Sequence, residues 1–214
     1  MLPYWRLSAY YFSYFAFVGA FAPYFTLYLQ SLQLSATHIA ILMSLMQLMR
    51  MLAPNLWGVL AERTGLPLPI VRVSAAMSLA GFSAFFFSTE FAVLFVAMAV
   101  MAFFWSAALP LVESVTFVHL GEQGHRYGSI RMWGSVGFIV ATLALGHLLE
   151  SMPIRGLLGV IAAILGAIFL CSLAVPAATP RPAGRDGGSF GATLRRPEVR
   201  ALFGARLLMS AAHG

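Results

Sequence analysis

The segments Ala107-Ala-Leu-Pro-Leu-Val-Glu113 and Arg126-Tyr-Gly-Ser-Ile-Arg131-Met-Trp-Gly-Ser-Val-Gly-Phe138 decide the fold. Two long apolar runs meet between them at a short polar turn, Gly121-Glu122-Gln123-Gly124, and each run carries one full charge well inside its hydrophobic length. Glu113 precedes the centre of the turn by nine positions and Arg131 follows it by nine. In an antiparallel helical hairpin the two charges therefore share one depth and can pair. A charge at the centre of a bilayer helix costs about 2.5–3.5 kcal/mol on insertion scales, so an ionisable residue there points to a functional site and needs a partner. Spacing alone names that partner.

The rest of the chain is of the same kind. Of its 214 residues, 60% are hydrophobic and only 9% charged, whereas soluble domains run about 45–50% apolar and about 25% charged. The mean hydropathy is +0.85. Such a chain is all-α and membrane-embedded, with the lipid bilayer as its first partner. The 18 Phe, 7 Tyr and 4 Trp are spread through the apolar runs, as lipid-facing and interfacial aromatics are. A net charge of +6 would suit nucleic acid, but no basic helix or patch interleaved with aromatics is present, and no nucleic-acid partner is expected. Cys171 stands alone, which excludes an internal disulfide and a Cys-based metal site. His38, His119, His125 and His147 lie near helix ends at spacings that fit no metal motif. No metal or cofactor is expected.

Apolar runs long enough to cross about 30 Å of hydrocarbon occupy Leu7–Gln30, Ala36–Ala61, Pro69–Ser88, Phe91–Val118, Tyr127–Leu149 and Ile154–Val175. The outer loops between them are tiny, which predicts sequential helices packed as antiparallel neighbours. With the N-terminus in the cytoplasm, Arg6, Arg63, Arg72, Arg126, Arg181, Arg185, Arg195, Arg196 and Arg200 fall inside and only Arg155 falls outside. That asymmetry fixes the expected orientation under the positive-inside rule. Residues 177–198, rich in Pro, Gly and Arg, predict a cytoplasmic linker. A seventh apolar run occupies 199–214, too short to span, so the chain reads as a fragment. The expected organisation is six helices over 1–176, the linker, and the start of helix seven.

At the end of the second run stands Trp57-Gly58-Val-Leu-Ala-Glu62-Arg63-Thr-Gly65. Gly58 would permit close backbone approach and Gly65 a tight turn, while Glu62 and Arg63 set opposite charges at a helix end. This motif resembles the G-x-x-x-[DE]-R-x-G signature of the major facilitator superfamily, with Glu62 where Asp is commoner. The hairpin carrying Glu113 and Arg131 is similar to helices four and five of the lactose permease, phenylpropionate permease and nucleoside symporter group of that family. Val18-Gly-Ala-Phe-Ala-Pro23 and Arg50 with Pro54-Asn-Leu-Trp57-Gly58 resemble the same group, so that the likeness covers essentially the whole chain.

The resemblance implies the N-terminal half of a major facilitator bundle, a 3+3 inverted repeat, and a secondary active transporter of a small polar or anionic organic solute by alternating access. It also implies proton symport, the bacterial inner membrane, and a C-terminal half as partner. It makes Glu113 and Arg131 substrate-binding, and Gly58, Glu62, Arg63 and Gly65 a conformational latch. Phe138, seven residues beyond Arg131 and on nearly the same face, corresponds to a sugar-stacking Trp of the lactose permease. A Phe there weakens the case for a sugar and leaves an aromatic or nucleoside-like solute open. Two alternatives stay open on the residues themselves. The Glu113–Arg131 pair either binds solute or is a structural ion pair, and Arg50 either holds an anionic solute or bridges to Glu113. A membrane-embedded enzyme would need a nucleophile or metal motif, and none is present. A scaffold would need large extramembrane surfaces, which the short loops do not offer.

Overall fold

The computed structural model describes residues 2–177, which form six long α-helices and no strand among the described residues. The expected linker and seventh helix lie outside the described residues. The helices are α1 (Tyr4–Ser31), α2 (Ala36–Thr64), α3 (Pro67–Ser83), α4 (Phe91–Leu120), α5 (Tyr127–Ser151) and α6 (Gly156–Ala174). All six apolar runs are thus helical. The third ends earlier than its apolar run suggested, because a 3₁₀ turn at Ala84–Phe86 tightens its last residues.

The boundaries follow from local chemistry. Ser35 caps α2 by accepting a hydrogen bond from the His38 backbone N–H at 3.2 Å. Gly65 ends the same helix in the left-handed region, φ 66°, and donates its N–H to the Ala61 carbonyl at 2.9 Å. Pro67 then opens α3, where its missing N–H costs nothing. Residues Phe91–Ser151 form one helical stretch of 61 residues. It is broken into α4 and α5 by a 3₁₀ segment, Gly121–Arg126, in which Gln123 leaves helical geometry.

The packing order differs from the expected chain of neighbours. Among sequential pairs only α3 and α4 pack along their length, while α1–α2, α2–α3 and α4–α5 barely touch. The main contacts are α1 with α5, α2 with α4, α1 with α6, α3 with α4, and α3 with α6. A short loop holds only helix ends together; along their length the helices splay, with α4 filling the gap between α2 and α3 and α1 that between α5 and α6. The contact pattern maps onto itself when α1, α2 and α3 are exchanged with α4, α5 and α6. Three crossings separate the equivalent helices, so the two triplets run in opposite directions, which is a 3+3 inverted repeat.

The core sits on α1 and α4, which bury the most side chains, including Tyr10, Tyr11, Phe17 and Phe25 of α1. The α1–α5 seam depends on glycine. A Cβ on Gly137 would collide with the Phe12 carbonyl oxygen, and one on Gly19 would strike the backbone at Phe138. The seam is pinned by Thr142 Oγ1, which donates to the Gly19 carbonyl at 3.1 Å, and by the Tyr24 hydroxyl, which donates to the Thr142 carbonyl at 2.8 Å. Gly81 plays the same part between α3 and α4, whereas Gly159 and Gly166 face open space among the described residues. At one end of the bundle Arg72 donates to the carbonyls of Ser172 at 3.2 Å and Val175 at 3.0 Å, and Arg6 donates to that of Ala174 at 3.3 Å. These guanidiniums satisfy the orphan acceptors at the negative end of α6.

Candidate functional site

Arg131 and Glu113 come together as their spacing predicts. The Arg131 Nε lies 4.0 Å from Glu113 Oε1, and each side chain is about one-third exposed, 32% and 34%. Contact at Nε at this distance is not the bidentate fork of a closed arginine–carboxylate pair. The carboxylate is held more closely by Tyr127, whose hydroxyl donates to the same Oε1 at 3.1 Å. The guanidinium in turn lies over aromatic rings of α1, its Cζ 3.9 Å from the centre of the Phe15 ring and 5.7 Å from that of Tyr11. Such cation–π contacts contribute roughly 0.5–2 kcal/mol each. Gly134 makes the seat possible, since a Cβ there would stand 2.7 Å from the Phe15 ring and 2.8 Å from Arg131 Nη1.

The second intramembrane arginine does not join this pair. Arg50 is exposed and forms no ion pair among the described residues, so the bridge from Arg50 to Glu113 is not what the structure contains. Its Cζ sits 5.8 Å from the Trp105 ring centre. Trp105 stacks on Tyr14 at 4.7 Å and 7°, and Tyr14 meets Phe15 edge-on at 5.2 Å. The two guanidiniums are therefore linked by an aromatic chain, Arg50, Trp105, Tyr14, Phe15 and Arg131. Beside Arg50 lies a cavity of about 190 Å³ between α1 and α2, lined by Phe17, Phe21, Met46, Gln47 and Arg50 and closed by Trp105 of α4. Phe138 is partly exposed, at 38%, and its backbone meets α1 at Gly19.

The signature at the end of α2 has a mixed outcome. Gly65 adopts the tight left-handed turn expected of it. Gly58 makes no close approach: a Cβ there would meet nothing within 4 Å among the described residues, because this face of α2 has no neighbour there. Glu62 and Arg63 are exposed and form no ion pair among the described residues.

Several residues of the site escaped the one-dimensional pattern. Tyr127 lies fourteen residues from Glu113 and is one more aromatic in an aromatic-rich chain. Tyr11, Tyr14 and Phe15 follow the i, i+3, i+4 spacing of one helical face, a usable signal, but it points equally well to core. Met46 lines the cavity beside Arg50.

Comparison with known proteins converges on one family. The profile described as "MFS_1 like family" matches residues 4–214. The maltose permease of Geobacillus stearothermophilus is 36% identical over 203 residues, which cover 92% of this chain and 48% of the permease. The "Probable 3-phenylpropionic acid transporter" of Escherichia coli (strain K12) is 27% identical over 184 residues, covering 85% of this chain and 48% of that protein. The crystal structure of the nucleoside transporter NupG shares the fold, with a TM-score of 0.74 at 18% identity over 98% of this chain and 52% of that one. These relatives are permeases and transporters, not enzymes. The chain spans about half the length of the curated relatives it matches.

Proposed function

The chain belongs to the MFS_1 like family and is a multi-pass membrane protein with the fold of half a major facilitator, and from that membership we propose that it is the solute-holding half of a secondary active transporter. The transporter is a proton symporter of a small polar or anionic organic solute, working by alternating access with a second six-helix half. The observation that carries this reading is the open Glu113–Arg131 pair. Its Nε-to-carboxylate separation of 4.0 Å, its partial exposure and the support each charge receives from elsewhere leave the guanidinium fork and one carboxylate oxygen available to a solute. A purely structural pair would close on itself.

In this reading Glu113, Arg131, Phe138 and Arg50 hold the solute. Gly58, Glu62, Arg63 and Gly65 form the inner latch, with Glu62 and Arg63 meeting the second half of the transporter. Residues 177–198 tether that half, and 199–214 begin its first helix. The N-terminus lies in the cytoplasm of a bacterial cell, supported by the gathering of Arg6, Arg63, Arg72 and Arg126 at one end of the bundle. The test is uptake by the intact protein in proteoliposomes, with a panel of labelled sugars, nucleosides and aromatic acids. A member of the panel should accumulate when a proton gradient is imposed, and Glu113→Gln with Arg131→Gln should abolish that uptake in a folded protein. Wild-type uptake by the double variant overturns the reading.

A further inference from the structure

Resting on that reading, we propose that the cleft between α1 and α2 is a second subsite, which takes the carboxylate of a singly charged organic acid on Arg50 and its apolar body against α1 and α2. The cleft exists because α1 and α2 barely touch while both pack on other helices, and α4 closes its back with Trp105. Its chemistry is one-sided. Arg50 brings a full positive charge with no ion-pair partner among the described residues. Trp105, only 3% exposed, backs the cleft as an aromatic wall. Gln47 adds an amide. Among the described residues the cleft is rich in donors, which favours an acceptor, and a cation that lacks an acidic partner there favours a negative one.

The walls and the volume narrow the class further. Phe17, Phe21 and Met46 cannot satisfy the hydroxyls of a polyol, so a neutral sugar would leave polar groups unpaired. A cavity of about 150 Å³ suffices for benzene, and this one, at about 190 Å³, holds one ring with a carboxylate. The subsite is distinct from the Glu113–Arg131 pair, since Tyr14 and Phe15 stand between Trp105 and Arg131. It makes the solute an amphipathic acid rather than a sugar.

The test is quenching of tryptophan emission in the intact protein in nanodiscs, titrated with 4-bromobenzoate and with its neutral isostere 4-bromobenzamide. A bromine in the cleft touches Trp105 and quenches it. The acid should half-saturate at a concentration at least tenfold below that of the amide. Arg50→Gln should remove this preference, Arg50→Lys should keep it within threefold, and Trp105→Phe should remove the quenching that Trp133→Phe leaves in place. Circular dichroism identifies folded variants, and if Arg50→Gln does not fold, the lysine and Trp105→Phe variants carry the test. Equal affinity for acid and amide, or quenching that survives Trp105→Phe, overturns the subsite. Acid quenching lost in Arg131→Gln but intact in Arg50→Gln would move the anion to the pair, overturning the subsite and leaving the transport reading untouched. Uptake that survives neutralisation of the pair strikes the transport reading instead, whatever the quenching shows.

Discussion

Tyr127 donates its phenolic hydrogen to Glu113 Oε1 at 3.1 Å, whereas Arg131 approaches the same oxygen only through Nε at 4.0 Å. The tyrosine, one helical turn before the arginine on α5, therefore positions the carboxylate and leaves the guanidinium fork unspent. Hydrogen bonds to charged groups contribute about 1.5–3 kcal/mol, and partial exposure brings this one toward the lower end. Tyr127→Phe is expected to weaken solute binding by roughly tenfold, at about 1.4 kcal/mol per tenfold, with the unfolding temperature nearly unchanged. Equilibrium binding beside a thermal melt separates the two effects; a fall in melting temperature with intact affinity would make Tyr127 a packing residue only.

Single and double neutralisation of the pair should also differ. Removing one partner of a fully buried pair costs about 3–5 kcal/mol, but these side chains are one-third exposed, so Arg131→Gln should lower stability by less than that. The exchanged pair, Glu113→Arg with Arg131→Glu, should insert and fold yet fail to transport, because the fork then starts from α4 and loses its seat on Phe15. Uptake by the exchanged variant would show that attraction alone, not placement, is what the site needs.

The α1–α5 seam is tight enough to be tested by one methyl group. Gly137→Ala drives a Cβ into the Phe12 carbonyl, and overpacking of this kind costs about 1–3 kcal/mol. Gly159→Ala, with nothing within 4 Å among the described residues, should be neutral or slightly stabilising, as alanine is the better helix former. Paired thermal melts in the same detergent give the comparison, and equal melting temperatures would contradict the packing described for Gly137.

Arg72 ties α3 to the end of α6 through the carbonyls of Ser172, Leu173 and Val175. Arg72→Ala should cost about 1–2 kcal/mol, the range of a favourable cation at a helix C-terminus, and Arg72→Lys should recover part of it. Protease sensitivity just beyond Val175 should rise in the alanine variant; unchanged sensitivity would mean that the cap does not restrain this end.

Orientation can be read with one reagent. In a Cys171→Ser background, a membrane-impermeant thiol reagent added outside cells should label Ser151→Cys and not Gly124→Cys, as both positions are exposed at opposite ends of α5. The reverse pattern would invert the assigned topology.

Length and apolarity along the chain determined the six spans, and the equal nine-residue offsets from the polar turn determined that Glu113 and Arg131 would meet. Both are one-dimensional properties, legible because a bilayer demands about 20 apolar residues per crossing and penalises a charge that lacks a partner. Gly65 was legible too, since its turn is local. The tertiary structure alone decided that α1 packs on α5 rather than on α2, that Gly58 meets no neighbour among the described residues while Gly137 does, that Tyr127 holds Glu113, and that Arg50 stands apart over Trp105. The physical reason is that lipid tails are as apolar as leucine. Hydrophobicity marks a helix for the membrane without marking which of its faces turns inward, and that choice falls to the fit of small residues, aromatic faces and stray polar groups between helices distant in sequence.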